Sequence, residues 1–316
     1  MTRLLLVLFF FAGTALAQPF PSKPVRWIVP FPPGGATDII ARIVGAKMGE
    51  AWKEPVVVEN RAGAAGAIGS EAVARAAPDG HTILMGTTST HAVGPAINTH
   101  LPYNHLTDFA PVTLVATFPN VLVAHPSTAD SLPDLIARLK ANPGKYNFGS
   151  SGAGSSTHLA GELFKLMTQT DINHIPYKGT GPLLNDLMAG HVAFAFDQVT
   201  AVMSAVNAGK MKALGVASLE RSPALPGVPA IAEVLPGFEA TAWVGIFAPA
   251  RTPPETIARI QGETARIVAL PDIAKRLNEL GATPVANPPA QFAEFVKKDT
   301  EKWKNLVASA KIRVEQ

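Results

Sequence analysis

The apolar positions of this chain switch repeatedly between continuous runs and helical spacing. "VRWIVP", Val25 to Pro30, is a short, nearly unbroken apolar run and predicts a buried strand. Ile39, Ile40, Ile43, Val44 and Met48 then recur at helical spacing. "PVVVE" predicts a second strand, Arg61 to Gly69 a Gly/Ala loop, and Ser70 to about Ala77 a helix. "PDG" is a turn, "HTILMG" a strand with "TTSTHAVGP" after it, and "PVTLVATFPNVLVAHP" is long, extended and β-branched.

A second block repeats the alternation. "LPDLIARLKAN" reads as a helix, "YNFGSS" as a strand, and Leu159, Leu163, Phe164 and Met167 mark another helix. "INHIPY" is a strand, "PLLNDLMAG" a helix with Pro182 suited to its first turn, and "VAFAFD" a strand; "VTAVMSAVNAG" and "MKALGVAS" continue the series. Ser222 to Gly237, rich in proline and glycine, is a connection. "EATAWVGIFAPA" is again a strand, and helical stripes from Ile257 to Val307 fill the remainder.

Strands alternating with helices imply α/β layers with mainly parallel sheets. Two such blocks and a helical tail predict two α/β lobes. The extended runs near 111–125 and 238–248 are natural crossover strands. If both cross, residues 18–120 and 237–316 share one lobe and 121–236 form the other. A ligand then sits in the cleft between them, at the carboxyl ends of strands.

Composition narrows the class. The start "MTRLLLVLFFFAGTALAQ" has one arginine, a short apolar run and Ala15-Leu16-Ala17, the form of a secretory signal spanning residues 1–17. The run is too short to span a bilayer comfortably. With no cysteine, the exported chain is built without disulfides, as suits a periplasmic protein. A formal charge of +3 with no long Lys/Arg block argues against nucleic acid and suits small anionic ligands.

Three strand-to-helix junctions share one logic: "PFPPGGATD" from Pro30 to Asp38, "GSSGAGSSTH" from Gly149 to His158, and "YKGTG" from Tyr177 to Gly181. In each, glycines let the backbone bend close to a ligand, and a helix start offers unpaired N–H groups and the positive end of its dipole. Phe31, Pro33, Gly34, Gly35 and Thr37 are the candidates in the first. Ser150, Ser151, Gly154, Ser155, Thr157 and His158 are those in the second, and Tyr177, Lys178 and Gly179 those in the third. The hydroxyls either bind a ligand or cap helices; Ser156 and Thr37 are open to the capping role. Asp38 fits a structural role better than a ligand contact, since an acid repels a carboxylate. Asp197 either meets a ligand's amino or hydroxyl group or caps the next helix. Lys178 is either a counter-charge or a solvated loop lysine. Thr88 and Ser89, in "TTSTH", and His91 beside them can line the cleft, while His158 packs or caps.

Enzyme chemistry finds less support. "GSSGA" misses the last glycine of a hydrolase G-x-S-x-G elbow, and nothing fixes His174 with Asp186 or Asp197 as a triad. No metal motif occurs, "GAAGAIG" has the wrong spacing for a dinucleotide site, and no cofactor is expected.

Taken together, "FPSKPVRWIVPFPPGGATD", "VVVENRAGAAGAIGSEAVARAAPDGHTILMG", "LPYNHLTDFAPVTLVA", "FGSSGAGSSTHLAGELF", "INHIPYKGTGPLLNDLMAGHV", "ALGVASLERSPALPGVPAIAEV" and "WVGIFAPARTP" resemble the Bug-type substrate-binding proteins of tripartite tricarboxylate transporters, the TctC family. The resemblance implies a type II periplasmic-binding-protein fold with a Venus-flytrap cleft. It implies a non-enzymatic receptor for a small carboxylic acid, monomeric, which passes its ligand to membrane permease subunits; docking onto a sensor kinase is the variation. It also implies a carboxylate site built from the loop after the first strand and the opposing loop of the second lobe, partly through ordered water. Those map to Phe31–Asp38 and Ser150–His158, with Tyr177 to Gly179 and Asp197 nearby. Pro32-Pro33 stands where many relatives carry smaller residues, which stiffens the first loop.

Overall fold

In the computed structural model, residues 20–98 and 100–310 are described. The expected signal, residues 1–17, lies outside them. The chain runs β1 (Val25–Val29), α1 (Ala36–Trp52), β2 (Val56–Asn60), α2 (Ala67–Ala74), β3 (Thr82–Thr87), α3 (Gly94–Ile97) and β4 (Phe109–Ala124). It continues with α4 (Leu132–Ala141), β5 (Asn147–Ser150), α5 (Ser156–Thr168), β6 (Asn173–Pro176), α6 (Thr180–Met188), β7 (Phe194–Gln198), α7 (Val199–Asn207) and β8 (Lys212–Val216). It closes with β9 (Thr241–Pro249), α8 (Pro254–Val268), α9 (Pro271–Glu279), β10 (Thr283–Pro284) and α10 (Pro289–Ala310).

One strand joins the two lobes. β4 is 16 residues long. Its first part, Phe109 to Pro119, lies antiparallel to β9, and its second part, Asn120 to Ala124, lies antiparallel to β7 and β8. The sheet order β2-β1-β3-β9-β4-β7-β5-β6 therefore has a parallel block at each end, β2-β1-β3 and β7-β5-β6. Parallel strands need both faces covered, which explains the nearly unbroken apolar run of β1, where Val25, Trp27, Ile28 and Val29 are buried and Arg26 alone is exposed.

The chain returns at the waist beside β4. Ala217 donates its N–H to Asn120 O at 2.7 Å, and Ala240 donates to Ala217 O at 2.8 Å. The Asn120 side chain donates to Ala240 O at 2.8 Å. β9 begins only after this crossing and pairs wholly within the first lobe, so the second extended run is a crossing followed by an ordinary strand.

Helices complete the layers. α1, α8 and α9 cover one face of the first lobe's sheet, through Ile40, Val44, Met48, Ile260, Ile267 and Leu277. α6 and α7 cover one face of the second through Leu183, Leu187, Val199 and Val202. α10 lies against β4, α3 and α5, and Trp243 on β9 donates its indole N–H to Asp299 on α10 at 2.7 Å. Among the described residues, no helix is long and apolar enough to cross a membrane. Two boundaries differ from expectation. α2 starts at Ala67 rather than Ser70, because a left-handed turn through Ala64, Ala65 and Gly66 sets its first turn early. "STHAV" after β3 is a π-helical turn that continues into α3.

Candidate functional site

β1 delivers the chain into the first glycine loop, and α1 takes it away. Gly34 sits at φ +88°, a left-handed conformation that suits glycine. Asp38 is buried behind the loop and organises it. Its carboxylate accepts from the Gly34 N–H at 3.0 Å, from Arg42 Nε at 3.1 Å and from Asn60 Nδ2 at 3.0 Å. Asn60 also donates to Phe31 O at 3.0 Å, so the loop is held at both ends. Burial alone raises the Asp38 pKa, but the bonds from Arg42, Gly34 and Asn60 outweigh it and hold the carboxyl below its ordinary value.

Gly34 thus spends its N–H on Asp38, whereas the next three amides stay open. No acceptor among the described residues takes the N–H of Gly35, Ala36 or Thr37, and the first helical bond is from Ile39 N to Gly35 O at 3.0 Å. Gly35 is the N-cap and has no side chain to cap with; Thr37 lies inside the first turn and makes no capping bond. Open donors at a helix start suit an anion.

The second loop looks similar in sequence but commits most of its amides to its own side chains and carbonyls; those of Ala153 and Thr157 have no acceptor among the described residues. Ser151 N donates to Thr157 Oγ1 at 3.0 Å, Gly152 N to Ser150 Oγ at 3.3 Å and Gly154 N to His158 Nδ1 at 3.1 Å. Ser155 N donates to Gly152 O at 3.1 Å, and His158 N to Ser155 Oγ at 3.2 Å, so Ser155 rather than Ser156 is the cap. Ser150 Oγ lies 2.7 Å from His174 Nε2, and the His158 and His174 rings stack with centroids 3.9 Å apart. Burial, with His158 alongside, pushes the His174 pKa down to about 3 and keeps the ring neutral. One bond leaves the loop for the other lobe: Ser156 N donates to Ser89 Oγ at 3.0 Å.

The third loop adds open donors from the same lobe. Gly179, at φ +109°, is the uncapped N-cap of α6, and the N–H groups of Thr180 and Gly181 have no acceptor among the described residues. A Cβ added at Gly179 would stand 3.2 Å from Pro32 Cγ, so the lips of the two lobes nearly touch there. Asp197, at the end of β7, supports this loop from behind. It accepts from Thr180 Oγ1 at 3.2 Å and from Gln198 N at 2.8 Å, while Oδ2 has no partner. Burial dominates these bonds and raises its pKa to about 7.

These parts enclose a cavity of about 280 Å³. Phe31, Pro33, Gly34, Gly35, Thr37, Thr88, Ser89, Ser151 and Gly179 line it, as do Thr180, Gly181, Leu184, Gln198, Phe118 and Trp243. No lining residue carries a charged side chain. The remaining candidates lie elsewhere. Asp38, Ser150, Ser155, Thr157, His158 and Asp197 are buried behind the walls. Lys178 is exposed and outside the lining, and Tyr177 donates its hydroxyl to Asp186 at 2.8 Å. Gly154 faces a separate apolar cavity of about 410 Å³ beside Ala64, Ile97 and Leu101. His91 is fully buried, stacked on Phe247 at 3.9 Å, and does not reach the cleft. Thr180 and Gly181 belong to the glycine loop already suspected. Phe118 and Trp243 sit on strand-like runs that carry no polar signal, so pattern alone passes over them.

Residues 40–312 match the model of the tripartite tricarboxylate transporter family receptor. Protein BugT of Bordetella pertussis is 40% identical over 316 residues, covering 97% of each chain. A solved structure from R. palustris, Rpa4515 with adipate, superposes with a TM-score of 0.90 at 34% identity, covering 93% of this chain and 99% of that one. MatC from Rhodopseudomonas palustris with bound malate superposes at 0.86 and 34% identity, covering 91% and 100%. These relatives are solute-binding proteins rather than enzymes.

Proposed function

This chain belongs to the tripartite tricarboxylate transporter receptor family, and we propose that it holds one small carboxylic acid between its lobes and delivers it to a membrane permease. One observation carries the reading: uncommitted first-turn amides of α1 and of α6, from opposite lobes, border the same cavity. A carboxylate there exchanges its water shell for oriented N–H donors, and each charge-assisted bond contributes roughly 1.5–3 kcal/mol. Because the donors come from both lobes, only the closed arrangement uses all of them. Ligand therefore shifts the population toward closure, and the permease reads that shape. The acids named with Rpa4515 and MatC support the ligand class.

In this reading residues 1–17 are removed on export, the lobes comprise 18–120 with 237–316 and 121–236, and the mature receptor works as a periplasmic monomer. Asp38 and Asp197 act from behind, the first holding the cradle loop and the second holding Thr180. Native mass spectrometry after incubation with a mixed organic acid pool tests the proposal. A retained, unmodified acid is expected; turnover of any acid, or indifference to the whole pool, rejects it.

A further inference from the structure

We propose that Gln198 reads the far end of the guest, and that it reads hydrogen bonds rather than charge, so that a terminal carboxylate and a terminal carboxamide are accepted alike. The inference rests on the proposed carboxylate site and specifies the other half of the guest. Gln198 closes β7 opposite Asn120 of β4, at the waist. The open amides of α1 and α6 flank the lips instead, where Gly179 nears Pro32. The Gln198 main-chain N–H is spent on Asp197 at 2.8 Å. Gln198 lines the cavity and is the N-cap of α7, yet its side chain makes no capping bond and no hydrogen bond to a described residue. Ala201, in the first turn of the same helix, also lines the cavity, and the N–H groups of Val199, Thr200 and Ala201 have no acceptor among the described residues.

A carboxamide side chain offers an NH₂ donor group and an acceptor oxygen, and a half-turn about its last bond exchanges them. Gln198 can therefore donate to a carboxylate, or donate to the oxygen of an amide, or accept from its N–H. The hydroxyls that share the lining are equally adaptable. Those of Thr37 and Ser156 have no partner among the described residues. Thr88 Oγ1 and Ser89 Oγ accept from Trp243 N at 2.8 Å and Ser156 N at 3.0 Å, and each keeps a proton to donate. A site that favours a second negative charge over a neutral group presents an arginine or lysine to it. Here the flanking cations are committed or turned away: Arg42 holds Asp38 at 2.9 Å, and Lys178 is exposed outside the lining. A terminal carboxylate makes the stronger bonds but pays more to leave water; a carboxamide makes weaker bonds and pays less. With no counter-ion to tip that balance, the two ends bind comparably.

The test is calorimetric titration of the ligand-stripped mature protein with matched pairs: succinate and succinamate, adipate and adipamate, terephthalate and terephthalamate. Hexanoate lacks the far polar group, and adipamide lacks any carboxylate. In at least one pair both members are expected to bind, within about fivefold of each other in Kd. Hexanoate should bind at least about tenfold more weakly than that pair, because it leaves the Gln198 amide unmatched, and adipamide should be silent. A wider gap in every pair that binds, or hexanoate matching its pair, overturns this inference and leaves the carboxylate receptor standing. Adipamide matching adipate, or no acid binding, overturns both. Two substitutions address Gln198 itself, and each keeps the main-chain bond to Asp197. Gln198→Arg is expected to favour the diacid by at least about tenfold, and Gln198→Glu to favour the half-amide by a similar factor. If neither folds, Gln198→Leu should bring both members of the pair down to the level of hexanoate. A folded variant that keeps the original preferences overturns the role assigned to Gln198.

Discussion

The first and second glycine loops read almost alike, yet the structure gives them opposite duties. Both follow a strand, both precede a helix, and both are rich in glycine and hydroxyl residues. In the first, a single buried acceptor, Asp38, takes the Gly34 N–H and leaves those of Gly35, Ala36 and Thr37 open. In the second, Ser150, Ser155, Thr157 and His158 supply side-chain acceptors for the amides of Ser151, Gly152, Gly154 and His158, and only those of Ala153 and Thr157 are left without an acceptor among the described residues. Glycine makes a loop able to approach an anion; the acceptors within it decide whether any donors remain to be offered. The lobe-two contribution to the cradle therefore falls to α6, whose start carries no side-chain cap.

The sharpest way to break this contrast is to fill the cradle. Gly35 has ordinary extended backbone, φ −80° and ψ 168°, and a Cβ there meets nothing within 4 Å. Gly35→Leu should therefore fold normally while its side chain occupies the space in front of the α1 amides. Affinity for the acid retained from the mixed pool is expected to fall at least ~100-fold with the melting temperature little changed, since the substitution adds no strain and removes no contact. Near-normal affinity, measured calorimetrically, would place the anion elsewhere.

Asp38→Asn comes next. The amide keeps an acceptor for Gly34 but loses the charge that Arg42 and Asn60 address. About 1–2 kcal/mol of stability should go with the weakened buried bonds. Affinity should fall about tenfold as the loop loosens, in step with roughly 1.4 kcal/mol. Chemical denaturation and titration on the same sample separate the two effects.

How much of this was legible beforehand follows from the range of each interaction. The strand–helix alternation rests on local apolar spacing, so β1, α1 and the block from β5 to α6 stand where the pattern puts them. Asp38's structural role was legible too, because an acid beside an anion site needs another purpose. The side-chain bracing of the second loop was not. Ser151 N finds Thr157 Oγ1 six residues on, and Ser156 N finds Ser89 in the other lobe; such pairings are set by tertiary geometry. Trp243 and Phe118 stayed hidden for a related reason. An aromatic on a buried strand looks like core whether it faces a cavity or a helix.

A smaller effect, and one that turns on pH, tests the support behind the third loop. The native Asp197 carboxyl titrates at about 7, against 3.8 for the ordinary side chain, and burial is the cause. Between those values the folded state holds the proton that the unfolded state has released. The favourable contribution is thus complete below the unfolded pKa and is lost as pH rises through about 7. The change is on the order of 4 kcal/mol. Asp197→Asn mimics the protonated form, so wild type should lose stability relative to the variant from about pH 4 to pH 8. Affinity for the retained acid should also weaken several-fold between pH 6 and pH 8 in wild type, as a negative charge develops behind Thr180, and stay level in the variant. Parallel profiles for the two proteins would show that Asp197 is not the group responsible.

The gentlest probe addresses the second loop directly. Ser155 caps α5 by accepting from His158 N at 3.2 Å, and its hydroxyl also donates to Gly152 O at 2.7 Å. Ser155→Ala strands both, and loss of such a cap costs about 1 kcal/mol of stability. Because Ser155 and Gly152 are outside the lining of the 280 Å³ cavity, affinity for the retained acid should stay within about threefold, well under the 1.4 kcal/mol that a tenfold change requires. The pairing of a measurable stability loss with intact binding is what a loop braced chiefly by its own side chains requires. A tenfold affinity loss at unchanged stability would instead make the second loop a ligand contact and dissolve the distinction between it and the first.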